Sequence, residues 1–393
     1  MSRSTRRAPL RWTRILLPAV AAALLVIGIL FVHSTTAEPG EAFPGRIARW
    51  QLIKALVASA LFVALSRLDY RHLARFAYVA YGGLALVLIA LLVRPSSSPT
   101  ARWIELGFIQ VQPSELMKVA VILCLARYLR YRESYRRVQG LALPYLLTFA
   151  PMALVAMQPD LGTSLMLPPV LVALLYVARA RLWPLAVTVG TGVASLPVAF
   201  YLGDVVPLMR GYQLRRITDF FEREGYQLQQ SLITIGSGGM TGREWGHGVH
   251  LPARHTDFIF SVIGEEWGFV GAAGVAALYA TMVVLCLRVA LATREPFGRL
   301  TAAGIATVFA AQSLQNMAMT MGLTPITGLP LPFISHGGSS LASSAVALGI
   351  VCAVAARPVR VVASRDLDPQ DRPRVLHVVE HRPAGALLSR WPV

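Results

Sequence analysis

Ten apolar runs constrain this chain more than any other feature. They fall at about 15–33, 50–66, 76–93, 113–129, 141–157, 163–178, 184–202, 258–287, 300–322 and 338–356; a bilayer-crossing helix needs about 20 apolar residues. Basic residues collect in every second gap. Arg3, Arg6, Arg7, Arg11 and Arg14 stand before or at the start of the first run. Arg67, Arg71 and Arg75 follow the second, Arg127, Arg130, Arg132, Arg136 and Arg137 the fourth, Arg179 and Arg181 the sixth. Arg288, Arg294 and Arg299 follow the eighth, and Arg357 and Arg360 the tenth. Lysine and arginine mark cytoplasmic loops. The expectation is an all-α integral membrane protein of about ten transmembrane helices with both termini cytoplasmic. One long extracytoplasmic loop should join spans seven and eight.

Composition agrees. Charged residues make up 15% of the chain and the mean hydropathy is +0.56, whereas soluble domains carry about 25% charged residues. No small-residue cleavage site closes the first run, which reads as a span and not as a removed signal. The domain plan is a basic cytoplasmic tail at 1–14, one membrane domain at 15–358 and a disordered cytoplasmic tail at 359–393. The net charge of +17 is explained by the loop clusters, so no nucleic acid is expected as a partner. Cys124, Cys286 and Cys352 lie in apolar runs with no metal spacing and no disulfide framework.

On this topology the unusual residues share one outward face. They are RWIELGFIQVQPSELMK at 102–118, QPDLGT at 158–163, the stretch from Gly203 to Asp257, and TPITGLPLPFISHGGSS at 324–340. A transporter places its binding residues near the midplane, so this distribution favours an outward-facing site. The eighth run exceeds one span. About 22 apolar residues, roughly 33 Å of helix, separate Trp267 from Arg288, so HTDFIFSVIGEE is expected to stand apart from the span proper. Gly264, Gly268 and Gly271 form a small-residue stripe suited to close packing.

Glu115 and Lys118 lie three apart after Pro113, on one face of a helix turn. A structural ion pair explains them at least as well as a functional role. Asp160 is either a helix N-cap or a carboxylate at a cavity mouth. Asp257, beside Arg254, His255 and Thr256, is a carboxylate among cations, kept ionised and suited to general-base work. Gly236, Gly238, Gly239 and Gly242 are a weak phosphate-loop signal, because no Walker lysine follows. The segment at 324–340 has too much proline and glycine for a plain span, and reads as a re-entrant or tight turn. Ser335, His336, Ser339 and Ser340 are its candidate contacts. His250 and His255 make a poor metal pair, and no G-x-S-x-G elbow supports a serine hydrolase.

Taken in order, QPSELMK, QPDLGT, YQLQQSLITIGSGG, LPARHTDFIFSVIGEEWGFVG and TGLPLPFISHGGSS resemble the SEDS family (shape, elongation, division and sporulation). The resemblance runs from about the second apolar run to Arg357. It implies a peptidoglycan glycosyltransferase that polymerises lipid II at the outer face of the cytoplasmic membrane. Undecaprenyl pyrophosphate would be released, and a class B penicillin-binding protein would be the partner, with membrane lipids around both. It carries the essential acid onto Asp257, the ion pair onto Glu115 and Lys118, and the QPDLG acid onto Asp160. Arg102, Gln112, Ser231, Arg254, His255, Thr256, His336 and Ser339 complete the candidate set. No cofactor is required by the residues; a divalent cation, Mg or Mn, would suit the departing diphosphate alongside Arg254 or Arg102.

The chain departs from the family's pattern in places. Ala253 stands where an acid is common, Arg243 and Glu244 replace a Lys-Gly pair, and His336 replaces a tyrosine. The segment between Gly242 and Leu251 is short. TGLPLPF leans towards the RodA-like branch, hence elongation, over the FtsW-like branch. The rival readings are a lipid II flippase and a non-catalytic scaffold that activates a penicillin-binding protein.

Overall fold

The computed structural model describes residues 8–36, 43–93, 103–106, 109–131, 138–158, 160–201, 220, 225–243 and 251–357. Helices dominate it. They are α1 (Ala8–Thr36), α2 (Arg46–Arg67), α3 (Tyr70–Val93), α4 (Pro113–Tyr131), α5 (Ala142–Met157), α6 (Leu161–Leu165) and α7 (Leu167–Val177). α8 (Leu182–Tyr201), α9 (Tyr226–Ser237), α10 (Ile259–Glu266), α11 (Gly268–Ala292), α12 (Pro296–Thr320) and α13 (Gly338–Ala356) follow. Five of these, α1 from Trp12 onward, α2, α3, α11 and α13, are long and apolar enough to cross a bilayer. The tails at 1–7 and 358–393, Arg102, Glu244 and His250 lie outside the described residues.

α13 is the central post and α3 a peripheral one. Over their most apolar stretches α13 is 78% buried and α3 only 17%. α2 lies directly on α13, where a side chain at Gly349 would stand 2.9 Å from the Phe62 carbonyl oxygen. α12 is gripped by α4 and α7. A Cβ at Gly304 would meet Ile122 at 2.8 Å and Leu174 at 3.3 Å. Small residues at these crossings let polar faces approach across the bundle, where hydrogen bonds can form.

Three local features differ from the sequence expectation. A short antiparallel hairpin, β1 (Ile104–Leu106) with β2 (Ile109–Val111), precedes α4; an apolar stretch this short carries no helix or strand period. The run at 163–178 is interrupted at Met166 between α6 and α7. The polar stretch from Gly203 to Asp257 is not all loop, because Tyr226–Ser237 is the helix α9. It sends Leu228, Ser231 and Thr234 inward at helical spacing.

The eighth run does divide, at Trp267. Gly268 has φ of 63°, a left-handed conformation that favours glycine. The GSGGMTG segment docks on this break. Phe269 N–H donates to the Gly239 carbonyl (2.9 Å), Val270 N–H to Met240 (3.2 Å) and Arg243 N–H to Glu265 (2.9 Å). Its glycines therefore serve backbone packing against α10 and α11. The stripe of Gly264, Gly268 and Gly271 straddles the break instead of lining one helix. Glu266 accepts a hydrogen bond from Ser34 of α1, and Trp267 meets Phe31 edge-on at 4.8 Å.

Candidate active site

Two chain segments without regular structure, 251–258 and 321–337, meet at one end of the bundle. α12 organises both through two amides four residues apart on one face. Asn316 Nδ2 donates to the Asp257 carbonyl (2.8 Å) and to the Leu329 carbonyl (2.7 Å). Gln312 Nε2 donates to the Pro330 carbonyl (2.7 Å). Tyr279 of α11 holds the Pro332 carbonyl through its hydroxyl. The two segments also bind each other. Ser335 Oγ donates to the Thr256 carbonyl (2.6 Å) and accepts from Leu331 N–H (2.8 Å), and His336 N–H donates to the His255 carbonyl (2.9 Å). Leu329, Leu331, Phe333 and Ile334 are buried, so this part of the Pro/Gly segment packs against protein.

Within this frame Arg254, His255, Thr256 and Asp257 sit on a turn that is only partly buried. Ala253 enters it with φ of 57°. Its carbonyl accepts from Thr256 N–H (3.0 Å), Thr256 Oγ1 (3.1 Å) and Phe258 N–H (3.4 Å). These bonds hold the backbone on both sides of Asp257, which is itself partly buried. Arg254 Nε and Nη2 are buried with no hydrogen-bond partner in the protein. The His255 and His336 rings lie 5.8 Å apart. Burial first, then Arg254 and Lys54, lowers the His255 pKa. Burial, Lys54 and His255 push His336 down to about 4, so both imidazoles are neutral at pH 7.

The remaining candidates divide by role. Glu115 and Lys118 form a buried ion pair at 2.9 Å. Lys118 Nζ also donates to Gln312 Oε1 (2.9 Å), and Ser343 Oγ donates to Glu115 Oε2 (2.9 Å). The pair therefore ties α4, α12 and α13 together beneath the loops. Asp160 is the N-cap of α6, accepting from Thr163 N–H at 3.3 Å. Its other oxygen accepts from Gln112 Nε2 (2.6 Å) and Ser114 Oγ (2.8 Å). Ser339 Oγ accepts from Gln112 N–H (2.9 Å) and donates to the Gln110 carbonyl (2.8 Å), anchoring the hairpin to α13. Ser231 is fully buried, bonded to Ser261 (2.7 Å) and the Thr320 carbonyl (2.8 Å). Asp160 and Ser231 thus face protein partners.

The sequence reading passed over four residues that build the site: Lys54, Gln51, Gln312 and Asn316. Lys54 Nζ lies 3.0 Å from His336 Nε2, and Gln51 Nε2 donates to the Ser335 carbonyl at 3.4 Å. Their signal was present, since polar side chains inside apolar runs are expensive and mark interior-facing positions. Among the described residues no group of three His, Cys, Asp or Glu side chains is placed to hold a metal ion.

Residues 14–358 match the sequence signature of the FtsW/RodA/SpoVE cell cycle protein family. A probable peptidoglycan glycosyltransferase FtsW from Trichlorobacter lovleyi is 35% identical, covering 85% of this chain and 91% of its own. The Escherichia coli peptidoglycan glycosyltransferase MrdB is 32% identical, covering 84% and 90%. In a peptidoglycan synthase complex that coordinates polymerization and crosslinking, one chain is 31% identical with a TM-score of 0.73, covering 86% and 96%. The Thermus thermophilus rod shape determining protein RodA is 30% identical with a TM-score of 0.64, covering 86% and 95%. With a family signature over most of its length and relatives above 30% identity named FtsW and MrdB, this chain belongs to the SEDS family of integral membrane proteins.

Proposed function

We propose that the chain is a peptidoglycan glycosyltransferase that polymerises lipid II, with Asp257 as its general base. The carrying observation is the turn at 251–258. Its backbone is held by Asn316 and Ser335, and it carries the partly buried Asp257 three residues from Arg254, whose Nε and Nη2 are buried without a hydrogen-bond partner in the protein. In the reaction an acceptor sugar hydroxyl oxygen attacks the donor's anomeric carbon and the bond to the lipid diphosphate breaks. Asp257 takes the hydroxyl proton. The bond's electron pair leaves with undecaprenyl pyrophosphate, whose growing charge Arg254 stabilises. A magnesium or manganese ion, were one bound, would supply further positive charge to the departing diphosphate, with Asp257 the carboxylate available to hold it.

The remaining assignments rest on charge pattern and kinship. The five apolar helices, together with α4, α5, α6–α7, α8 and α12, make ten spans. The arginine alternation puts both termini in the cytoplasm of a bacterium and the site at the outer face of its cytoplasmic membrane. The likeness to a chain of a polymerizing and crosslinking complex supports a class B penicillin-binding protein as partner. TGLPLPF and the likeness to RodA support a role in elongation.

The test is glycan polymerisation by purified protein, with and without its penicillin-binding partner, comparing wild type with Asp257→Asn. Loss of a general base costs about 10²–10⁴-fold, with an unchanged unfolding midpoint. Equal polymer from both proteins would remove Asp257 from the role. No polymer from wild type in a complex that still assembles would leave a scaffold.

A further inference from the structure

Lys54 is the one charged residue of α2 between Arg49 and Arg67. It stands eight residues into the helix, about 12 Å along the axis. A lysine at such depth costs about 2.5–3.5 kcal/mol on insertion scales, so its retention calls for a specific partner. That partner is an imidazole nitrogen and not a carboxylate: Nζ lies 3.0 Å from His336 Nε2. The aliphatic stem is held against α13, where a Cβ at Gly338 would lie 3.5–3.8 Å from the Lys54 methylenes. The ammonium is thus aimed by packing as well as by its hydrogen bond.

The consequence is a tautomer. An ammonium only donates, so Nε2 of the neutral ring must accept and the ring proton must sit on Nδ1. His336 Nδ1 is buried and has no acceptor in the protein. Arg254 Nε and Nη2, on the segment whose neighbouring His255 accepts from the His336 backbone, are in the same condition. Buried donors without acceptors cost about 1–3 kcal/mol each. These three atoms are donors, as is Lys54 Nζ, whereas Gln51 Oε1 and Asn316 Oδ1 are buried acceptors of the same frame that also lack partners. A phosphate oxygen is an acceptor that suits the three donors.

We infer that Lys54 is a positioning residue that holds His336 as its Nδ1–H tautomer, so that His336 and Arg254 together donate to a phosphate oxygen of the bound substrate. This rests on the reading above and extends it to the pair Lys54 and His336. A phenol hydroxyl donates without help, whereas an imidazole presents a donor at the correct nitrogen only if something fixes the other. The low pKa of His336, caused by burial, Lys54 and His255, keeps the ring neutral and leaves the tautomer as its variable.

The test combines a structural and a kinetic readout on the full chain in nanodiscs. Protein labelled with ¹⁵N-histidine, with His336→Gln used for assignment, should show a bare Nε2 and a protonated Nδ1 at pH 7. Lys54→Met should populate the opposite tautomer and raise the lipid II KM about tenfold, the worth of one hydrogen bond to a charged group. Its kcat should change much less. Lys54→Arg should retain the tautomer and most of the KM. In a His336→Tyr background Lys54→Met should cost under about twofold, since the phenol needs no tautomer control. Nanodiscs of phosphatidylglycerol and phosphatidylcholine should give the same lipid II KM. A KM raised only by the anionic lipid would assign the donors to a phospholipid headgroup and overturn the substrate role. An unchanged tautomer in Lys54→Met, or a fall in kcat at constant KM, would equally overturn the inference. If Lys54→Met fails to fold, a wild-type ring protonated on Nε2 still refutes it. The tautomer and its response to lipid II need no turnover. Absent polymerisation with a lipid II-sensitive Nδ1–H signal would therefore reject the reaction and keep the site.

Discussion

Replacing Lys118 by methionine isolates what the buried ion pair does for the bundle. Lys118 and Glu115 are each 3% exposed in their side chains and 2.9 Å apart. The substitution leaves the Glu115 carboxylate with Ser343 as its remaining side-chain donor and leaves Gln312 Oε1 without its lysine. An uncompensated buried charge costs about 3–5 kcal/mol. Adding Glu115→Gln removes the charge, so the double variant should lose about 1–2 kcal/mol, the scale of a few unmade hydrogen bonds. The assay is reversible unfolding in mixed micelles, followed by tryptophan fluorescence, on wild type, both single variants and the double variant. A double variant as unstable as Lys118→Met would refute the argument, because it would show that packing of the lysine stem dominates. A cost below about 1 kcal/mol for Lys118→Met would refute it too, showing that water reaches the pair.

Further outcomes follow from single contacts. Asp160→Ala strips the acceptor from Gln112, Ser114 and the Thr163 N–H; it should lower stability by about 2–3 kcal/mol while the folded fraction keeps its specific activity. Ala253→Gly relieves a left-handed alanine at φ of 57° and should raise stability by about 1 kcal/mol, seen as a higher unfolding midpoint with unchanged polymerisation. Gly238→Ala would place a methyl 1.9 Å from the Gly264 carbonyl oxygen. It should therefore undock the glycine segment from the break between α10 and α11, and faster amide exchange at Phe269 and Val270 would report this.

Much of the helical frame was legible because hydropathy is a property of neighbouring residues. The apolar runs at 50–66 and 338–356 became α2 and α13, and Pro113 opens α4 as its lack of an N–H predicts. The division near Trp267 was visible from length alone, since one bilayer cannot hold the whole run. The helix α9 was not, because its buried stripe is three residues within a polar stretch. The interruption at Met166 was hidden too, because the residues on both sides of it are apolar.

At the site the chain order put Asp257, Arg254 and His255 side by side, and their chemistry could be argued from residue type. Which carboxylates face protein was a different matter. Asp160 and Asp257 both precede helices and look alike in sequence, yet one has both oxygens filled by side chains and backbone of its own fold. The other is a partly buried residue on a strapped turn. Lys54 meets His336 across 282 positions of sequence, and Gln312 and Asn316 reach loops that no local pattern ties to α12. Hydrophobic period and charge alternation are local quantities, so they locate helices and favour one orientation across a membrane. Hydrogen-bond satisfaction at a buried site depends on which helices cross, and at Gly349 and Gly304 those crossings are decided by the absence of a methyl group. That is information only the packed bundle holds.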